Sequence, residues 1–177
     1  MGTRVDVSII IGSRSDLPLI NETIKILKMF ELSHSLNIAS AHRTIKYLKQ
    51  CINDAHSFGV KVFITAAGMA AALPGVVASE TVLPVIGIPV ISRNLSSLDS
   101  LFSIVQMPKG VPVATVAIGE AGAANAAFLA VQIMAVSDDN LREKLKVYKA
   151  KVSEEAVKED LKLQKYGIEQ YIKNLKK

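Results

Sequence analysis

Apolar runs alternate along the chain with segments of helical periodicity, and this alternation predicts the fold. Five runs are predicted to be strands, at 5–11, 33–39, 61–66, 82–88 and 113–118. The first run is apolar at nearly every position, which is typical of a strand that is buried on both faces of a sheet. The segments between the runs carry apolar residues three or four positions apart, which predicts helices.

Capping and turn residues indicate where the helices begin and end. Asp16 as N-cap, with Pro18 after it, predicts a first helix that reaches about Phe30. Thr44 is predicted to cap a second helix over 45–57, which ends near Gly59.

Three more helices are predicted in the second half of the α/β pattern. One runs through Ser79. Residues 119–125 lead into another, which reaches about Val136. Between them, after Pro89 ends the fourth strand, a helix that starts near Ser97 or Leu98 should turn three side chains inward. These side chains are Leu101, Ile104 and Val105.

Five βα units in series predict an α/β fold, a three-layer αβα sandwich with a mainly parallel, flavodoxin-like sheet and extended C-terminal helices. We expect residues 1–137 to form the α/β catalytic domain and residues 138–177 a helical extension, interrupted at Gly167. The extension has an apolar stripe to bury, and we expect it to pack on a neighbouring subunit. The stripe consists of Leu141, Leu145, Tyr148 and Val152.

Charge and composition narrow the possible classes of protein. Half of the residues are apolar, which excludes disorder, and the net charge is +5. Residues 138–177 carry 11 basic and 8 acidic side chains, more than half of all the charges in the chain. Because the two signs nearly cancel there, we interpret the tail as a solvated helical surface, and we do not expect binding to nucleic acid.

Cysteine usage and hydropathy favour a cytoplasmic protein. The single Cys51 excludes an intramolecular disulfide and fits a reducing compartment. The first residues lack the basic-then-apolar pattern of a signal peptide. The longest apolar stretch, 63–78, is interrupted by Gly68, Pro74 and Gly75, so no membrane span is expected.

The loop 12–16 that follows the first strand has two interpretations. Glycine allows close backbone approach, the hydroxyls of Ser13 and Ser15 can donate to a phosphate, and the Asp16 carboxylate can accept from sugar hydroxyls. An ordinary capped βα turn explains the same residues.

The loop 40–44 after the second strand holds the most reactive side chains. His42 can change charge near neutral pH, and Arg43 offers an anion a planar fork of donors. Ser40, Ala41 and Thr44 complete a loop at the strand end where open α/β sheets place their ligands. A structural role for a single loop histidine is the alternative.

Small residues follow the third strand, at 67–75. They allow the backbone to come close to something flat, such as a base or a neighbouring subunit, and simple packing of a helix on the sheet explains them equally well. The sequence lacks the motifs of metal binding, nucleotide hydrolysis, serine-type hydrolysis and dinucleotide binding. The three histidines and one cysteine have no metal-ligand spacing, and the sequence contains no P-loop, nucleophile elbow or dinucleotide fingerprint. We therefore expect no metal site and no ATP hydrolysis.

Five motifs in order across residues 5–150 resemble one family, 5-(carboxyamino)imidazole ribonucleotide mutase, also described as the catalytic subunit of phosphoribosylaminoimidazole carboxylase (the PurE family, class I-like). The motifs are Gly-Ser-Arg-Ser-Asp at 12–16, Ser-Ala-His-Arg-Thr at 40–44, Leu-Pro-Gly at 73–75, Gln-Met-Pro-Lys-Gly-Val-Pro-Val-Ala-Thr at 106–115 and Gly-Ala-Ala-Asn-Ala-Ala at 122–127.

The resemblance implies a cofactor-free isomerase of purine biosynthesis that moves a carboxylate from the exocyclic nitrogen to C4 of an imidazole ribonucleotide. It implies homo-octamers with active sites at subunit interfaces, and the ATP-dependent carboxyaminoimidazole ribonucleotide synthase as functional partner. His42 would be the general acid/base, and a water-poor pocket would hold the carbon dioxide between two steps. The residues expected to bind substrate are Ser13, Ser15, Asp16, Ser40, Ala41, Arg43, Gly68, Ala70, Ala71 and Leu73.

The chain departs from the family pattern in its third motif. The mutase branch usually has Gly-Gly-Ala-Ala-His-Leu-Pro-Gly there, whereas residues 68–75 have Met69 for the second glycine and Ala72 for the histidine. The alternatives are direct carboxylation of aminoimidazole ribonucleotide by carbon dioxide, and a nucleotide-binding protein whose catalysis is impaired because of Ala72.

Overall fold

A computed structural model describes residues 4–92 and 95–175. The chain divides into two compact units, which meet in sequence between Met134 and Ala135. The first unit contains the sheet and the second consists mainly of one long helical segment.

The first unit is built on a parallel five-stranded sheet. Its strands are β1 (Val7–Ile11), β2 (His34–Ile38), β3 (Val62–Ala67), β4 (Val85–Pro89) and β5 (Ala114–Thr115). The strand order is β2-β1-β3-β4-β5, and every neighbouring pair is parallel. This is the predicted flavodoxin-like order, and helices flank the sheet, so the predicted α/β sandwich is confirmed.

Helices follow the strands as the periodicity predicts. They are α1 (Leu17–Met29), α2 (Ile45–Ser57), α3 (Leu73–Ser79), α4 (Leu98–Val105), α5 (Glu120–Ala135) and α6 (Asp139–Leu175). A short 3₁₀ helix, Arg14–Asp16, precedes α1, and another, Leu95–Ser97, precedes α4. These short turns were not predicted from the sequence.

The core lies around the three central strands. Every residue of β1, β3 and β4 is buried, because these strands have neighbours on both sides and helices on both faces. Gly87 in β4 permits a close approach, since a Cβ there would lie 2.6 Å from Ile104 Cγ2 and 2.8 Å from Val113 Cγ1. The centre of the sheet therefore packs tightly against α4 and against Val113, the residue before β5.

The edges of the sheet differ from the sequence expectation. β5 was predicted over 113–118 but comprises two residues, because it pairs with β4 at only two positions and, within the described parts of the chain, has no partner strand on its outer side. In α4, Ile104 is fully buried and Leu101 is half-buried, but Val105 is 49% exposed. Val105 is the last residue of the helix, so its inward orientation was wrongly predicted.

The second unit begins with a capped helix end. Asp138 Oδ1 accepts the Leu141 N–H at 3.0 Å, and the Arg142 guanidinium donates to the carbonyl oxygens of Ala135 and Val136. Of the predicted stripe, Leu141 and Leu145 are buried, whereas Val152 is 44% exposed. The stripe is thus buried only over its first turns.

Gly167 interrupts α6 as predicted, with φ 71° and ψ 161°. The Tyr171 hydroxyl donates to Glu159 Oε2 at 2.7 Å, although twelve residues separate the two. In a straight helix these residues would lie about 18 Å apart along the axis, so the segment after Gly167 folds back toward the helix before it. Among the residues that the structure describes, no helix combines the length and apolar character needed to cross a membrane.

Candidate active site

Four loops meet at the carboxyl edge of the sheet and enclose a pocket of about 590 Å³. They follow β1, β2, β3 and β4, as expected for parallel strands whose carboxyl ends share one edge. All eleven predicted site residues line this pocket: Ser13, Ser15, Asp16, Ser40, Ala41, His42, Arg43, Gly68, Ala70, Ala71 and Leu73.

Backbone hydrogen bonds between neighbouring strands hold the starts of these loops. The Gly12 N–H donates to the Ala66 carbonyl at 3.2 Å, and the Ala39 N–H donates to the Ile11 carbonyl at 2.9 Å. The Val90 N–H donates to the Ala67 carbonyl at 2.9 Å. Each loop therefore leaves the sheet from a fixed point, which gives the pocket a rigid base.

Serine side chains shape the first loop. Ser13 Oγ accepts the Ser15 N–H at 3.3 Å and lies 2.9 Å from Ser15 Oγ, which lies 3.2 Å from Asp16 Oδ1. Ser13 thus caps the 3₁₀ helix. Asp16 occupies the N-cap position of α1, but its side chain makes no capping bond, so the predicted capping role of its carboxylate was wrong.

The Asp16 carboxyl is buried in the pocket wall, with 7% of its surface exposed. Burial raises its pKa, and hydrogen bonds with the Ser15 side chain and the Ser13 backbone offset part of this effect. A carboxyl that is poorly hydrated and only partly satisfied suits a ligand that brings hydroxyl donors.

The second loop is a compact turn that Thr44 closes. Thr44 Oγ1 accepts the Ser40 N–H at 2.8 Å and lies 3.2 Å from the Ser40 carbonyl oxygen, to which it can donate. The Arg43 N–H reaches Ser40 Oγ at 3.3 Å. Thr44 precedes α2 as predicted, but its hydroxyl does not cap the helix, because it is already bonded within the loop.

His42 and Arg43 lie at the tip of this turn, exposed to solvent and to the pocket. Among the described residues, no carboxylate forms an ion pair with the Arg43 guanidinium. An unneutralised guanidinium next to hydroxyl donors is the arrangement that binds a phosphate.

The third loop makes the opposite wall from small and apolar residues. Gly68, Ala70, Ala71 and Ala72 line the pocket, and Leu73, the first residue of α3, is buried beneath them. Ala72 has helical φ and ψ of −72° and −20° at the start of α3. This wall offers van der Waals contact to a flat apolar surface and no titratable side chain.

The loop after β4 adds residues that the sequence analysis missed. Val90, Ile91 and Ser92 line the pocket, and the Ser92 N–H donates to Ser97 Oγ at 2.9 Å. Their position directly after a central strand was the available signal, because β4 lies beside β3 and ends at the same edge. Their side chains carry no recognisable motif.

The pocket thus has a polar half, from the loops after β1 and β2, and an apolar half, from the loops after β3 and β4. The polar half can bind a phosphorylated sugar, the apolar half can hold a heterocycle, and His42 can exchange a proton with it. Within the described residues, no group of three or more His, Cys, Asp or Glu side chains could hold a metal ion.

Comparison with protein families finds that the model of a family described as AIR carboxylase matches residues 6–155. Among similar proteins, the N5-carboxyaminoimidazole ribonucleotide mutase of Saccharolobus solfataricus is 50% identical over 80% of this chain and 89% of its own. The mutase of the same name from Vibrio vulnificus is 49% identical over 84% of this chain and 92% of its own.

A chloroplastic phosphoribosylaminoimidazole carboxylase from Vigna aconitifolia is 47% identical over 93% of this chain, which spans 29% of that longer protein. Among solved structures, PurE of Treponema denticola superposes with a TM-score of 0.83 at 28% identity. The match covers 90% of this chain and 99% of that one.

Proposed function

The chain belongs to the AIR carboxylase family, and we propose that it is an N5-carboxyaminoimidazole ribonucleotide mutase of purine biosynthesis. It converts the N5-carboxylated nucleotide to 4-carboxy-5-aminoimidazole ribonucleotide. The observation that carries the proposal is the two-sided pocket, in which His42 and Arg43 lie at the tip of one tightly bonded turn. Similar proteins named as this mutase support the choice of substrate.

In the polar half, the substrate phosphate binds to the Arg43 guanidinium and to the hydroxyls of Ser13 and Ser40. The Asp16 carboxylate accepts hydrogen bonds from the ribose hydroxyls, and the Ser15 hydroxyl lies beside this carboxylate. The carboxyaminoimidazole ring then extends along Ala41 into the apolar half. These assignments rest on donor and acceptor chemistry and on the common position of the residues in the pocket.

His42 serves first as an acid and then as a base. The bond between the exocyclic nitrogen and the carboxylate carbon breaks, its electron pair stays on nitrogen, and carbon dioxide is released. Nitrogen takes a proton from the imidazolium of His42. C4 then attacks the carbon dioxide, and neutral His42 removes the C4 proton, which restores the aromatic ring. Protons balance over the cycle, and the proposed route needs no cofactor.

The apolar wall keeps carbon dioxide beside C4 between the two steps. Gly68, Ala70, Ala71 and Leu73 offer it no hydrogen-bond donor from a side chain, and the bound heterocycle displaces water from this wall. A trapped intermediate reacts at a far higher effective concentration than a dissolved one, which favours recarboxylation over loss.

A direct test is incubation of the protein with the N5-carboxylated nucleotide, without ATP and with bicarbonate removed. Appearance of the C4-carboxylated product is the expected result. If product forms from aminoimidazole ribonucleotide only when bicarbonate is supplied, the protein is a carboxylase that uses dissolved carbon dioxide. If neither substrate reacts but both bind, it is a nucleotide-binding protein.

The assembly and setting of the enzyme are part of the same proposal. α4 leaves Leu98, Phe102 and Val105 exposed along the helix, and burying such a surface against other copies favours self-association; the proposed number of copies, eight, follows from the family resemblance. Sedimentation at the mass of eight 19.0 kDa chains would support this state, and a monomer would contradict it. In this proposal the C-terminal extension, predicted from the sequence at 138–177, reaches a neighbouring subunit. The enzyme is proposed to be cytoplasmic, with an ATP-dependent synthase that supplies its substrate.

A further inference from the structure

Two exposed apolar side chains lie in the apolar half of the pocket. Met69, in the loop after β3, is 62% exposed, and Ile91, in the loop after β4, is 67% exposed. Of the other apolar residues of this half, Val90 is half-buried, Ala71 and Leu73 are buried, and the rest are small. Met69 and Ile91 are therefore the large apolar side chains that a bound ligand could remove from water at this wall.

The backbone of Met69 is in a strained conformation. Its φ is 56°, in the left-handed region that glycine adopts freely and other residues avoid. The Ala71 N–H donates to the Met69 carbonyl at 2.8 Å, and the Ala72 N–H donates to the Ala70 carbonyl at the same distance. The loop holds this conformation through its own hydrogen bonds, and a glycine would satisfy it with less strain.

Ile91 differs from Met69 because the protein holds it in place. A Cβ on Gly119 would lie 2.7 Å from Ile91 Cδ1 and 2.9 Å from Ile91 Cγ1, so the isoleucine packs on the bare backbone of the turn before α5. Gly119 itself has φ 74°. Ile91 forms a fixed part of the wall, whereas the unbranched Met69 side chain can adapt to a ligand.

We propose that Met69 packs on the heterocycle of the bound nucleotide, positions it for His42 and excludes water from the carbon dioxide released beside it. The inference rests on the proposed function and deepens it. Its chemistry is that of a thioether against a planar aromatic ring, a contact that is favourable and tolerant of shape. Met69 is a positioning residue: it exchanges no proton and makes no covalent bond.

The first test compares two ligands by calorimetry. Met69→Ala should weaken binding of aminoimidazole ribonucleotide about five- to tenfold. The same variant should change binding of ribose 5-phosphate, which lacks the heterocycle, by less than about twofold. Leu95→Ala is the matched control, since Leu95 is also exposed and at positive φ (50°) but does not line the pocket. It should leave both affinities unchanged.

The second test follows the carbon dioxide. During turnover in ¹³C-labelled bicarbonate, the wild-type enzyme should transfer the unlabelled carboxylate, and Met69→Ala should incorporate several times more label into the product. Met69→Leu, which restores an apolar side chain of similar length, should return incorporation toward the wild-type value. Met69→Gly relieves the strained φ, so a defect shared by the alanine and glycine variants cannot be attributed to unfolding.

The inference is overturned if Met69→Ala weakens both ligands equally, or weakens neither, or leaves label incorporation unchanged. The proposed function fails in a different way. If the wild type binds the nucleotide but never converts it, the mutase assignment is wrong, while the comparison of the two ligands still decides whether Met69 contacts the heterocycle.

Discussion

The Thr44 hydroxyl closes the turn 40–44 onto Ser40: its Oγ1 accepts the Ser40 N–H at 2.8 Å and lies 3.2 Å from the Ser40 carbonyl oxygen. His42 and Arg43 lie between these two residues. The Thr44 side chain therefore helps to hold the part of the backbone that carries both the proposed acid/base and the proposed phosphate ligand, together with the bonds from the Thr44 N–H to the Ser40 carbonyl and from the Arg43 N–H to Ser40 Oγ. The following helix α2 begins immediately after this turn.

Replacing Thr44 by Val should loosen the turn, because valine keeps the shape of threonine but cannot bond to Ser40. We expect KM to rise several-fold and the free energy of unfolding to fall by no more than about 1 kcal/mol, since water can replace a hydrogen bond at an exposed site. Thr81→Val is the control. Thr81 Oγ1 accepts the Leu83 N–H at 3.1 Å outside the pocket, so this variant should lose similar stability with no change in KM.

Replacing Arg43 by Ala should raise the KM of the nucleotide by roughly 10- to 100-fold, the loss expected for hydrogen bonds to a charged group. Because the phosphate is remote from the reacting carbon, kcat should change little, and Arg43→Lys should recover part of the loss. Lys46→Ala, an exposed cation of α2 outside the pocket, serves as control in steady-state kinetics. A fall in kcat at unchanged KM would show that Arg43 does not bind the phosphate.

Replacing Asp16 by Asn should stabilise the free protein at neutral pH. Burial raises the pKa of this carboxyl above its ordinary 3.8, so its contribution to stability is fully present below pH 3.8 and is lost as pH rises through the folded-state pKa. Thermal unfolding should show a Tm gain of a few degrees at pH 7 that shrinks toward pH 4. The exposed Asp54→Asn should show no such trend, and an equal gain at both pH values would contradict the account.

Placing a histidine at position 72 tests whether His42 is sufficient. The helical φ and ψ of Ala72 accept any side chain without strain, so Ala72→His should fold normally. Because His42 carries both proton transfers in the proposed route, kcat should change less than about tenfold, as it should for Ala72→Ser, which adds a polar group that does not titrate. A hundredfold gain for the histidine variant alone would show that a second imidazole performs a step this chain lacks.

The location of the pocket could be predicted because it follows from the sheet. The nearly continuous apolar runs of β1 and β3 identify strands covered on both faces, and parallel strands must end at one edge. Ser13, His42 and Leu73 are distant in sequence, yet each follows a strand or begins the next helix, so they meet in one pocket. The chemical roles assigned to them remain predictions.

Details set by the neighbours of a residue could not be predicted. Asp16 and Thr44 are both good capping residues by type, but Ser13 and Ser40 provide the partners that decide what their side chains bond. Met69 is at positive φ, although methionine gives no sign of it, because the bonded loop imposes the conformation. The short β5 likewise depends on where β4 stops offering partners.

The measurement that tests the central claim most directly is single-turnover conversion of the N5-carboxylated nucleotide by His42→Asn. Calorimetric binding of aminoimidazole ribonucleotide to the wild type and to the variant accompanies it. Asparagine keeps polarity and approximate size but cannot transfer a proton at neutral pH. General acid/base catalysis contributes about 10²- to 10⁴-fold, so the rate should fall by at least a hundredfold while affinity and Tm stay close to wild type. Near-normal conversion by His42→Asn would contradict the account.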